Sequence, residues 1–209
     1  MAENDRRHPK IACDWGQIWR VYGSKFRRRS PSASVTQHRF SFGDMILWLL
    51  LGLFFVSSLI LSVGVGDMYN SPDERAAAAS IEAFIKDGRF SLSEPLNLEL
   101  GGVLSPRSMV SIGAFLIPTT FPGLMLLYGV IGKIISFPLI KLLTPLLAIL
   151  AVLAWRKTLE SFLSRRAALI GSVLFLTLAG FWFYSARVFM HNVPFLTFFI
   201  FGFYFLSRK

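Results

Sequence analysis

The chain has 209 residues, of which 54% are hydrophobic and 21 are phenylalanine, and its mean hydropathy is +0.55. Continuous apolar runs of about 20 residues exceed what a soluble core needs, so composition excludes an ordinary soluble domain and predicts an all-α integral membrane protein. The net charge of +10 lies in separate clusters, and a single cysteine, Cys13, excludes an internal disulfide framework.

Residues 1–43 form a basic tail with nine Lys/Arg, Arg27, Arg28 and Arg29 among them, against three acids. The tail carries no nucleic-acid-binding module, and anionic lipid head groups account for its charge more simply than nucleic acid does. A first transmembrane helix is predicted over 44–65. Its late start and the lack of a small-residue cleavage site mark a retained span rather than a signal peptide. Residues 66–137 hold seven acids against five Lys/Arg. The positive-inside rule therefore makes them an external loop and puts the N terminus in the cytoplasm, as expected for a protein of the plasma membrane.

Within that loop Ser71, Pro72, Asp73 and Glu74 predict a capping box. Ser71 is the cap, Pro72 takes the first helical position and Glu74 bonds back to the Ser71 amide. An interfacial amphipathic helix is expected over 73–87, stopped by Gly88. The apolar stretch 109–135 contains Gly113, Pro118, Pro122, Gly123, Gly129 and Gly132. A full crossing there would turn the later basic clusters outward, so it is expected to form a helix lying in or dipping into the outer interface. Three further transmembrane helices occupy 138–209, over 138–155, 167–185 and 193–206. Arg156-Lys157, Arg165-Arg166 and Arg208-Lys209 then mark cytoplasmic ends. The last run is short at 14 residues, so it borrows length from 190–192 or the chain is cut within it.

The ordered set Ser71-Pro72-Asp73-Glu74, Pro106-Arg107-Ser108, Pro118 to Gly123, Arg156-Lys157 with Arg165-Arg166, and Tyr184-Ser185-Ala186-Arg187 carries a family resemblance. From Gly52 onward the chain resembles the N-terminal half of GT-C membrane glycosyltransferases, the superfamily of protein O-mannosyltransferases, aminoarabinose transferases and oligosaccharyltransferases. The resemblance implies sugar transfer from a polyprenyl-phosphate donor to an acceptor on the outer face. It implies Asp73, with Glu74 second, as the carboxylate base, and Arg187 and Arg107 as ligands of the donor phosphate. Against these stand structural roles: helix capping for the acids, snorkelling for Arg187 and a loop salt bridge for Arg107. The aromatic runs 181–184 and 195–205 are expected as ordinary span surface before a lipid groove.

One departure stands out. Five positions after Arg187 the family pattern has an acid, and this chain has Asn192, with His191 beside it as an alternative nitrogen ligand or a packing residue. A divalent cation, Mg or Mn, is the cofactor the resemblance leaves open, and Asn192 weakens any such site. The relatives carry a further half, so the expectation is a fragment or a small module working with a partner subunit. The competing class is a non-catalytic membrane scaffold or assembly partner. A transporter ranks below both, because there is no inverted repeat and Lys141 is the one charge approaching a span interior.

Overall fold

A computed structural model describes residues 41–64, 69 and 71–208, so the basic tail falls outside the described residues. Helix α1, Phe42–Gly64, buries Leu47, Leu51, Phe54, Ser58 and Ser62 at helical spacing. Its other face exposes Trp48, Leu49, Leu53, Val56, Ile60 and Leu61. With apolar residues on both faces, this helix lacks the polar outer face of a soluble one.

The buried stripe packs on α6, Leu143–Glu160, and α7, Arg165–Leu176. Leu47, Leu51 and Phe54 share a core with Leu147, Ala148, Val152, Leu176, Phe181 and Val193. Helix α9, Asn192–Ser207, runs along α6, where the alanines at 148, 151 and 154 permit close approach. Thr197 Oγ1 ties these two helices by donating to the Leu147 carbonyl at 3.1 Å.

The stretches Phe42–Ser62 and Phe137–Glu160 are long and apolar enough to cross a membrane. Residues 167–185 are not the straight span expected. Helix α7 stops at Leu176, and α8, Ala179–Ser185, leaves it at 60°. At the break Thr177 Oγ1 donates back to the Leu174 carbonyl at 2.9 Å, and Trp182 Nε1 donates to Leu176 O at 2.7 Å. These side chains satisfy carbonyls that a continuing helix would use, which fixes the bend. Counted as one broken span, the pair makes three candidate crossings among the described residues. The 16 residues of α9 extend only about 24 Å, short of a hydrocarbon core about 30 Å thick, so four full spans are not seen.

The segment 66–137 also departs from an all-helical expectation. Helix α2, Pro72–Asp87, forms as predicted, and Gly88 closes it in the left-handed conformation (φ 73°). It is followed by β1, Leu92–Ser93, and a short helix α3, Leu96–Glu99. The expected interfacial helix over 109–135 is helical only in its second half. Its first half is a hairpin of β2, Met109–Ile112, and β3, Phe115–Pro118, in a three-stranded antiparallel sheet of order β1-β3-β2. Gly113, at φ 57°, takes the first of two turn positions between paired Ile112 and Phe115, the geometry of a type II′ hairpin turn. Helix α4, Pro122–Ile135, then packs on α2 and leads through α5, Phe137–Ile140, into α6.

The α2–α4 contact depends on small residues. A Cβ on Gly129 would meet the Phe84 ring, and one on Gly132 would meet the Ile85 and Ile140 side chains. Gly132→Val is therefore expected to destabilise the full chain by about 1–3 kcal/mol through overpacking. Gly202→Ala, at a position with no neighbour within 4 Å, serves as the control and leaves the melting temperature unchanged. Equal melting temperatures for the two variants in detergent would contradict this packing.

Candidate active site

Helix α2 begins at a proline in its first turn, which needs no amide hydrogen bond there, and Asp73 and Glu74 follow directly. The Ser71 half of the expected capping box is absent, because the Ser71 side chain makes no capping hydrogen bond. The two acids have different surroundings. Asp73 is exposed, and its Oδ1 accepts a hydrogen bond from the Ser108 hydroxyl. Glu74 is buried, and its Oε2 lies 3.9 Å from Arg187 Nη1. Beside its place in the first turn, Glu74 is thus a counter-ion of Arg187, the cationic partner that a carboxylate this far from water requires.

Arg187 follows the C-terminal end of α8, and hydrogen bonds hold the backbone on both sides of it. On one side, Ser62 Oγ at the far end of α1 donates to the Ala186 carbonyl at 3.1 Å. On the other, the Val188 carbonyl accepts from the Thr144 hydroxyl, which is 2.7 Å from the Tyr128 hydroxyl. Burial pushes the Tyr128 phenol above the ordinary tyrosine range, so it stays neutral. The Arg187 guanidinium stacks over the Phe183 ring at 4.3 Å, a contact that screens one of its faces. Four helices, α1, α4, α6 and α8, thereby fix the position of one cation.

Arg107 is exposed, immediately before Ser108, and makes no ion pair among the described residues. The Ser108–Asp73 bond brings its turn to the α2 N terminus. His191 and Asn192 lie elsewhere, in the lining of an apolar cavity of about 810 Å³ with Phe121, Tyr184 and side chains of α4, α8 and α9. The cavity lining includes neither Asp73 nor Glu74. His191 packs against the Phe121 ring with centroids 4.1 Å apart, in keeping with its packing alternative. Tyr184 belongs to both regions, because it lines the cavity while its carbonyl accepts from the Arg187 amide at 3.3 Å.

No three His, Cys, Asp or Glu side chains come together as a cation would require among the described residues. Asp73 is engaged by Ser108 and Glu74 by Arg187. These residues by themselves do not make a divalent-cation site. Comparison with family models, with curated proteins and with solved structures finds no match to this chain.

Sequence reasoning missed Ser62, Tyr128 and Thr144, whose hydroxyls fix Arg187 from distant helices. It also missed the buried ion-pair cluster at the opposite end of α1. There the Asp44 carboxylate accepts from the Arg156 and Arg165 guanidinium groups and from the Ser41 amide at 3.0 Å. Asp44 was legible as a lone acid opening an apolar run on the same predicted side as two arginine clusters.

Proposed function

We propose that this protein is a GT-C-like membrane glycosyltransferase, moving a sugar from a polyprenyl-phosphate donor to an acceptor at the outer face of the membrane. The observation that carries the reading is the Glu74–Arg187 ion pair beside Asp73. It joins an acid of the first loop to the arginine ending a later helix, the two positions that the resemblance couples in function. Asp73 accepts the proton of the acceptor hydroxyl or amine as that group bonds to the anomeric carbon. The bond from this carbon to the phosphate oxygen breaks, and its electron pair stays on the phosphate. Arg187 and Arg107 meet the charge that develops there. Glu74 keeps Arg187 aimed while the donor is absent. The apolar cavity, which shares Tyr184 with the turn that holds Arg187, is of a size and character to take part of a prenyl chain.

In this reading the exposed apolar faces of α1 and α9 contact lipid in the plasma membrane. The charge map keeps residues 1–43 in the cytoplasm and 66–137 outside. The test is binding of a polyprenyl phosphate to the full chain in nanodiscs, with the uncharged polyprenol as control. Arg187→Ala, made together with Glu74→Gln so that no buried carboxylate is stranded, is expected to weaken phosphate-lipid binding by about 10–100-fold, the worth of a charge-assisted hydrogen bond, and to leave polyprenol binding unchanged. Unaltered phosphate-lipid affinity would overturn this role for Arg187. An equal loss for both lipids would favour a scaffold whose fold Arg187 merely supports.

A further inference from the structure

Ser108 has a positive φ of 69° without being glycine. It is the third residue of a turn, Pro106 to Met109, closed by a hydrogen bond from the Met109 amide to the Pro106 carbonyl at 3.0 Å. Arg107, the second residue, has a negative φ, so this is the type II arrangement, whose third position favours glycine because any Cβ is strained there. The turn does not need the Ser108 hydroxyl to hold its shape. The Ser108 carbonyl accepts from the Thr119 amide at 3.0 Å, Ser105 Oγ donates to the Met109 carbonyl at 3.0 Å, and the β2–β3 ladder starts at the very next pair, Met109 with Pro118. Leu116 and Pro118 are buried on the inner face of a strand that packs on α2. The loop is thus fixed against α2 by backbone pairing and apolar contact, and the strained residue spends its side chain on Asp73 alone.

We propose that Ser108 is a positioning residue for Asp73. Its hydroxyl occupies Oδ1 and leaves Oδ2 as the oxygen that receives the acceptor's proton. This rests on the transferase reading for its catalytic consequence, but the positioning itself does not. Backbone strain at such a residue persists where the surrounding structure enforces it, and such residues concentrate at functional sites. Glycine relaxes the turn and removes the hydroxyl together, so a loss of kcat without a loss of stability belongs to the hydroxyl.

The test compares wild type, Ser108→Gly and Ser108→Ala as full chains in proteoliposomes. Ser108→Gly is expected to keep or raise the melting temperature while kcat for sugar transfer falls on the order of tenfold with the donor KM unchanged. Added to Asp73→Asn, it is expected to cause no further loss. The second readout needs no transfer. Carbodiimide-promoted amine labelling of Asp73, located by mass spectrometry, is expected to run several-fold faster in Ser108→Gly than in wild type. Faster labelling without transfer by any form would sink the transferase reading and leave the positioning role standing. Unchanged labelling, or wild-type kcat in an active Ser108→Gly protein, would overturn the proposal for Ser108.

Discussion

Asp73→Asn is expected to lower kcat for sugar transfer by about 10²–10⁴-fold, the usual worth of a positioned general base. The substitution keeps the shape of the side chain, and the amide oxygen can still accept the Ser108 hydroxyl, so the loop contact survives. Asp73 is exposed and outside the buried Glu74–Arg187 pair, so stability should change little. A large fall in kcat at constant melting temperature therefore isolates the chemistry from the fold. The assay follows a radiolabelled sugar from polyprenyl phosphate to acceptor in proteoliposomes, with thermal unfolding of both proteins in parallel. A fall in kcat matched by a fall in melting temperature would instead make Asp73 a structural acid at the start of α2.

The second large effect is on stability. Asp44→Ala is expected to destabilise the full chain by about 1.5–3 kcal/mol, the worth of hydrogen bonds to a charged group, because Arg156 loses its carboxylate partner. The side chains of Asp44 and Arg156 are 7% and 10% exposed, and Arg156 would retain only Glu160, 3.1 Å away on its own helix. Arg165 is half-exposed and regains water when its partner is lost, so most of the effect comes from Arg156. The exposed pair of Lys86 and Glu82, 2.7 Å apart on α2, provides the comparison. Lys86→Ala should leave the melting temperature nearly unchanged, as loss of a fully solvated surface pair does. Unfolding of both variants in detergent checks the contrast, and equal melting temperatures would mean that the Asp44 cluster does not hold α1 to α6 and α7.

Local chemistry made parts of the fold legible. Pro72, two acids and a run of alanines make α2 evident, and Gly88 supplies its stop. The hairpin was hidden because 109–135 reads as one apolar stretch when its hydrophobic residues are merely counted. A period of two was present: Val110 and Ile112 face outward opposite Ile117 and Phe115, with Gly113 between the strands. The bend after Leu176 depends on Thr177 and Trp182 bonding backbone carbonyls, and such bonds leave no mark on hydropathy.

The candidate site divides in the same way. Asp73 and Glu74 could be picked from the sequence as an acidic pair beside an apolar run, and Arg187 as a cation at the end of a later one. Which acid is exposed and which is paired could not, since the Glu74–Arg187 contact joins residues far apart in the chain. Ser108 gave no local signal either, because serine is not the residue that its backbone conformation favours. His191 and Asn192 were grouped with the acids by sequence spacing, whereas they line the apolar cavity.

The most direct test of the transferase account uses the full chain reconstituted in vesicles with a polyprenyl-phosphate sugar labelled in the sugar. The account predicts time-dependent transfer of label out of the donor lipid by wild type, and near-complete loss of that transfer in both Asp73→Asn and Arg187→Ala at unchanged protein content. Label leaving the donor equally fast in wild type and in both variants would contradict it.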